Sequence, residues 1–302
     1  IGTLNGAKFF GAPGTPNQPR RNPNFSNITY WDYGYDSNYH GLSFQLRKRF
    51  AQGLQFQGSY TWGKSLDTNT RGNSGDASGP ASEPQDTYNL SLNRGPSDHH
   101  VEHAFRFNWV YALPISGLSG AAKVLLEGWQ LQGIVSLNTG GPLQINLGSG
   151  KNLTDYNRDR ARGQERASLA PGADPNAVRA NGRDPNQYFD PTNYVIHAAG
   201  TYGNGARNPL IGPGVATTDL SFLKNSALSE RLNMEFRVEI FNLFNRSNFG
   251  TRGMNLNVFS GVSSTLDASG IPDSVTYNPS AGRITETGTT SRQIQLAMRF
   301  VF

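Results

Sequence analysis

Between Arg292 and Phe302 the chain alternates apolar and polar residues almost without a break. Ile294, Leu296, Met298, Phe300 and Phe302 fall on one face, and Gln293, Gln295, Ala297, Arg299 and Val301 on the other. A period of two is the signature of a strand with one apolar and one polar face. About ten residues is also the length at which a tilted strand crosses a bilayer. The same alternation recurs upstream. Leu42, Phe44 and Leu46 alternate with Ser43, Gln45 and Arg47. Leu54, Phe56, Tyr60 and Trp62 alternate with Gln55, Gln57, Ser59 and Thr61, and Gly58 takes the remaining apolar-face position. Phe105, Phe107, Trp109, Tyr111 and Leu113 form a third set. Trp129, Leu131, Gly133, Val135 and Leu137 form a fourth, in which Ile134 breaks the polar side. Leu232, Met234, Phe236, Val238 and Ile240 alternate with Asn233, Glu235, Arg237 and Glu239. With a shorter element near 218–224, the pattern predicts strands near 39–49, 54–64, 100–113, 128–138, 218–224, 232–245 and 292–302.

The connections between these strands sort by length. They are short at 50–53, long at 66–98, moderate at 114–127, long at 139–217, short at 225–231 and long at 246–291. Transmembrane barrels keep short turns on the periplasmic side and long loops outside. If the last strand descends to the periplasm, every connection obeys that rule. The expected fold is therefore all-β, a transmembrane antiparallel β-barrel with its long loops extracellular and its C-terminus periplasmic. Seven strands is an odd number, whereas single-chain bacterial barrels are usually even, because a closed barrel leaves no edge in lipid. Residues 25–36, with their aromatic text, are one candidate for an eighth strand. Strands upstream of the sequence are the other, and the favoured, source.

Composition fits this reading. The 302 residues include 35 Gly and 17 Pro, with 36% hydrophobic and 16% charged residues, and the mean hydropathy is -0.53. A soluble domain carries more apolar residues to fill its core, and 11% aromatics argues against disorder. No apolar run is long enough for a membrane-spanning helix. The chain begins Ile1-Gly2-Thr3 with no charged-then-apolar leader, and an outer-membrane protein must be exported, so a fragment or processed piece is expected. The absence of cysteine excludes disulfides and thiol chemistry, and the net charge of +5 is scattered rather than gathered into a nucleic-acid-binding face.

Several stretches resemble one family. They are Y-H-G-L-S-F-Q-L-R-K-R-F from Tyr39, G-L-Q-F-Q-G-S-Y-T-W-G-K-S-L-D from Gly53, and G-P-S-D-H-H-V-E-H-A-F-R-F-N-W-V-Y-A-L-P from Gly95. G-W-Q-L-Q-G-I from Gly128, F-R-V-E-I-F-N-L-F-N from Phe236 and S-R-Q-I-Q-L-A-M-R-F-V-F from Ser291 complete the set. Together they resemble the C-terminal barrel portion of a TonB-dependent outer-membrane transporter, of the Oar-like kind that carries a carboxypeptidase-regulatory-like domain at its N-terminus. The resemblance implies a barrel of about 22 strands, with an N-terminal plug and a TonB-contacting segment outside this sequence. It implies a Gram-negative outer-membrane location, with outer-membrane lipid, the barrel-assembly machinery, TonB and a ligand of unknown identity as partners. It also implies that Phe300 and Phe302 form the C-terminal signal read by the assembly machinery.

The residues offer little chemistry. His99, His100 and His103, with Glu102, invite a metal reading because histidine and carboxylate are zinc ligands. An H-E-x-x-H site, however, needs a helix to bring positions i and i+4 together, and this segment leads into a strand. The acidic text from Asp155 to Asp190 lacks the spacing of a calcium loop. No catalytic motif occurs, so no enzyme activity, metal or cofactor is expected. Glu235, Arg237 and Glu239 are expected on the lumen face, where charge is ordinary. Tyr60, Trp62, Trp109, Tyr111, Trp129, Phe300 and Phe302 are candidates for aromatic girdles. Two other readings stay open on the residues alone: a small autonomous outer-membrane pore, and a soluble or surface-attached all-β binding or adhesion domain.

Overall fold

The computed structural model describes residues 2–4, 7–9, 34–69, 84–86, 89–148, 165–174, 184–198, 201–263 and 265–302. Its framework is a meander of seven long antiparallel strands. We label them β1 (Ser37–Ala51), β2 (Leu54–Asp67), β3 (His103–Ala112), β4 (Trp129–Asn138), β5 (Val215–Ala227), β6 (Asn233–Phe241) and β7 (Gln293–Val301). Each pairs with its neighbour in sequence, and Gly95–Pro96 adds a short rung beside the end of β2. Residues 25–33 of the candidate eighth strand, and much of the acidic text between Asp155 and Asp190, lie outside the described residues.

The register explains why alternation in seven separate stretches yields two coherent faces. Phe44 opposes Tyr60, Tyr60 opposes Phe105, Phe105 opposes Leu137, and Leu137 opposes Ala216. Further along, Phe222 opposes Val238, which opposes Leu296. Directly opposed residues in antiparallel strands share a side, so the apolar positions merge into one continuous surface. The polar face runs alongside it, from Gln45 through Ser59, Arg106 and Ser136 to Thr217, and from Ser221 through Glu239 to Gln295. The apolar face is open: Phe44 is 61% exposed, Ile294 63% and Leu296 67%. An uncovered hydrophobic surface spread over seven strands is far larger than soluble proteins carry, and it calls for lipid.

Local chemistry fixes the sheet in detail. Gln52 and Gly53 both adopt left-handed φ values, 54° and 78°, so β1 and β2 join by a two-residue turn whose twist matches the strands. On the apolar face, the Trp109 ring lies across its cross-strand partner Gly133. A Cβ there would meet Trp109 Nε1 at 2.5 Å. The glycine that interrupts the apolar alternation of β4 is thus the seat of an aromatic ring from β3. Ile134 is carried on the polar side, opposite Asn108 and Asp219.

Several boundaries differ from the sequence reading, and β2 runs on to Asp67 rather than 64. β3 begins at His103 rather than 100, because Ser97 to Glu102 turn back on themselves: the His100 N–H donates to the Ser97 carbonyl. β6 stops at Phe241 rather than 245, because Asn242 and Asn245 take left-handed φ values of 52° and 50°. β5 is longer than expected, its upper end at Val215 paired with Asn138. The moderate connection between β3 and β4 holds a short helix, α1 (Gly120–Leu126), tied to the foot of β5 by a bond from Ser226 Oγ to the Val124 carbonyl.

β1 and β7 each pair on one side only, so the sheet is open among the described residues. Both run from the long-connection end to the short-connection end. They therefore cannot pair antiparallel with each other. An all-antiparallel closure takes an odd number of further strands between them.

The buried hydrophobic core of the molecule sits in the long connections rather than in the sheet. Ile145, Leu147, Tyr188, Phe189, Tyr194, Val258 and Phe259 are at most 3% exposed and pack together with Leu210, Met254 and Ala281. Asn146–Gly148 runs parallel to Asn257–Val262, which pairs antiparallel with Val275–Tyr277. Pro142–Leu143 pairs with Leu210–Ile211, and Ser168–Leu169 with Tyr194–Val195. The described parts of the long polar connections form a folded cap.

Candidate functional site

The site has two parts: the polar inner face of the sheet, and the cap at its long-connection end. On the inner face, a hollow of ≈ 380 Å³ is lined by Gln55, Asn108, Gln132, Asp219, Ser221 and Glu239 together with Phe56, Trp109, Val110, Ile134 and Phe241. Amides, a hydroxyl and two carboxylates converge there among apolar groups, a mixed lining in which the polar groups orient a guest. Beside it, Arg237 bonds Glu235 at 2.7 Å and lies 3.7 Å from Glu239. Glu235, Arg237 and Glu239 share the polar face of the sheet and pair with one another along β6. At 40% exposure of the arginine side chain such pairs add little stability. They set a local pattern of charge instead.

The cap is fastened to the sheet by buried polar side chains. Arg207 forms an ion pair with Asp67 at the end of β2, reaches Asp98 at 3.3 Å, and also donates to the Asp67 carbonyl at 3.2 Å. Asp67 follows Ser59, Thr61 and Ser65 in the alternation, so this anchor lies on the inner-face side of the sheet. Asn208, with a left-handed φ of 51°, donates to the Pro96 carbonyl and to Asp98. Arg166 bonds Gln85 through both its backbone N–H and Nε, and Gln85 donates in turn to the Gly203 carbonyl. Burial, and then the neighbouring Arg207, lower the Arg166 pKa to about 10, which leaves the guanidinium charged at neutral pH.

A second fastening explains the F-N-L-F-N stretch. Asn242 Oδ1 accepts from the Arg246 N–H, and its Nδ2 donates to the carbonyls of Arg246 and Thr290. Asn245 Oδ1 accepts from the Arg292 N–H. Three residues on, Asn248, 1% exposed, accepts from the Ala216 N–H and donates to the Ala216 carbonyl, completing the end of β5 as a neighbouring strand would. These asparagines clasp the β6–β7 connection to the strand ends. Asn242→Ala removes three side-chain bonds, and urea unfolding in detergent should register a loss of about 1–3 kcal/mol. Asn242→Asp keeps the bond from the Arg246 N–H and should lose less.

The three histidines separate. His100 is 8% exposed, and its Nδ1 accepts from the Ser65 N–H; burial is the main cause that lowers its pKa. The His103 ring stacks on Tyr60, with Nδ1 2.7 Å from the Tyr60 hydroxyl. His99 is exposed. Among the described residues no group of three metal-ligating side chains comes together. His197, in the cap, carries no sequence signal. Both its ring nitrogens are shielded from solvent although part of the residue is not, and burial pushes its pKa down to about 4, against a backbone hydrogen bond with Thr201 that acts in the opposite sense. A histidine with a lowered folded pKa makes the unfolded chain bind more protons. Its stabilising contribution is full above the ordinary value of 6.5 and is lost as pH falls toward 4. Protection factors in the cap, taken relative to the intrinsic exchange rate at each pH, should therefore fall between pH 6.5 and 4, and His197→Gln should flatten that dependence.

At the foot of the sheet, Phe300 and Phe302 are 50% and 97% exposed and share the apolar side with Met298. Trp129 and Tyr111 lie toward that same end, whereas Trp62 and Tyr60 lie toward the cap. Tryptophan and tyrosine thus stand near both ends of the apolar band, while Phe107, opposite Gly58, and Phe105, opposite Tyr60, occupy its middle rows.

Comparison with family models finds a match over residues 3–295 to a family described as an outer membrane beta barrel domain. No curated protein and no solved structure gives a match.

Proposed function

The chain belongs to the outer membrane beta barrel domain family, and from that premise we propose that it forms the barrel wall and loop cap of a TonB-dependent transporter or receptor. The long connections face the outside, the C-terminus faces the periplasm, and the aromatic end at Phe302 is read by the barrel-assembly machinery. Energy coupling in such a transporter runs through a plug and a TonB-contacting segment. The ligand carries polar groups, in keeping with the inner-face hollow, and the chain transports it without chemical change.

One observation carries this reading: the cap is folded, and it is anchored to the inner-face side of β2 through Arg207 and Asp67. A passive pore needs an open mouth, whereas a receptor needs a shaped surface over the mouth to capture its ligand. The resemblance of six of the seven strands to TonB-dependent transporters supports it further.

The test is electrical and biochemical, made on the protein extracted from outer membranes in mild detergent. In a planar bilayer a plugged transporter passes no steady current, and in cells it should crosslink to TonB. Stepwise steady conductance without TonB adducts would overturn the proposal in favour of the small passive pore. Extraction into aqueous buffer without detergent would favour the soluble binding domain.

A further inference from the structure

We propose that the cap-side rim of the membrane-facing surface holds a seat for an anionic lipid with phosphate in its headgroup, between β3 and β5. The inference rests on the membrane reading of the apolar face and adds a specific ligand to it. A groove of ≈ 350 Å³ opens there, lined by His103, Phe105, Leu137, Thr139, Ala216 and Arg246. Phe105, Leu137 and Ala216 are consecutive cross-strand partners on the apolar face, so the floor of the groove continues the surface that meets acyl chains. Its upper end is polar. Thr139 Oγ1 accepts from the His103 N–H, which closes the end of the β3–β4 pair, and the Tyr60 hydroxyl fixes the imidazole.

Arg246 supplies the charge. Its backbone is clasped on both sides by the Asn242 side chain, while the residue itself is exposed, and among the described residues no ion pair reaches it. A rigidly placed backbone therefore presents an uncommitted guanidinium at the boundary between apolar band and cap. Guanidinium matches phosphate oxygens in a bidentate fork. Further basic side chains stand on the same rim, alongside the acidic Glu102 and Asp36. His40 and Lys64 oppose each other on the apolar-face side of β1 and β2, one row beyond Leu42 and Trp62, and the exposed Arg292 precedes β7. Apolar floor, fixed base and further basic side chains are the elements by which basic pockets on membrane proteins hold lipid head groups.

Native mass spectrometry of the detergent-purified protein, titrated with phosphatidic acid and with phosphatidylcholine of the same acyl chains, tests the seat. Retention of phosphatidic acid over phosphatidylcholine is expected. Arg246→Glu should lower that retention about tenfold, Arg246→Lys should keep most of it, and Lys48→Gln at the opposite rim should leave it unchanged. The Asn242 bonds to residue 246 involve only its backbone, so these variants keep the clasp, and circular dichroism checks the fold. Equal retention by Arg246→Glu would overturn the seat, as would equal retention of the two lipids. Displacement by millimolar inorganic phosphate would reassign the groove to a free anion. A protein that needs no detergent would instead sink the membrane reading beneath it, so the two failures are distinguishable.

Discussion

Arg207→Ala should cost about 3–5 kcal/mol and release the cap from the sheet, because it leaves Asp67 charged and buried without its guanidinium. The side chains of Arg207 and Asp67 are 8% and 4% exposed, so water replaces little of what is lost. The same guanidinium also serves the Asp67 carbonyl and Asp98, which ties three chain segments with one side chain. Hydrogen exchange is the discriminating measurement. Amides at 95–98 and 205–208 should lose protection, while those in the middle of β2 and β3 keep theirs. Asp98→Asn should cost much less, since Asp98 is 39% exposed. Arg207→Lys keeps the charge but not the planar fork and should fall between. If Arg207→Ala unfolds no more readily than the parent and the amides at 205–208 stay protected, the anchor is not what holds the cap. The proposal of a shaped receptor surface would lose its main support with it.

That anchor was invisible in the sequence, and the reason is physical. Asp67 and Arg207 stand 140 residues apart, in text where neither has a distinctive neighbour. The cap core is equally hidden. Ile145, Leu147, Tyr188, Phe189, Tyr194 and Phe259 are scattered through polar segments, and irregular packing imposes no period to detect. The strands were legible for the opposite reason. Each separates two solvents, lipid and an aqueous interior, and that requirement writes alternation directly into Leu42–Arg47 or Phe236–Ile240. The exceptions carry information of their own. Gly133 interrupts its alternation because Trp109 occupies the space. β6 ends four residues earlier than its residue pattern suggests because Asn242, tolerant of left-handed φ, turns the chain into the clasp. Asparagines at the end of an alternating stretch were a readable sign of that turn. The polar-face charges Glu235, Arg237 and Glu239 were placed on their side by alternation alone, but their pairing with one another needed coordinates.

The last prediction puts the membrane-facing surface itself at risk. Leu296→Arg should destabilise the protein in lipid vesicles by about 2–4 kcal/mol, whereas Gln295→Arg, one residue away, should cost much less. Leu296 is 67% exposed, lies midway along β7 and opposes Val238, whose other partner is Phe222, so it sits at mid-height of the apolar face rather than at either end. No described element covers it, and an arginine there faces hydrocarbon with no polar partner. Gln295 opposes Glu239 on the inner face, where a new guanidinium meets an acidic neighbour. The difference between two adjacent positions cancels effects of strand propensity and of proximity to the C-terminus, leaving the environment of each face as the variable. Reversible urea unfolding in vesicles measures it. Comparable costs at both positions would mean that the exposed apolar face does not meet lipid, and would remove the floor from the lipid seat beside Arg246 as well.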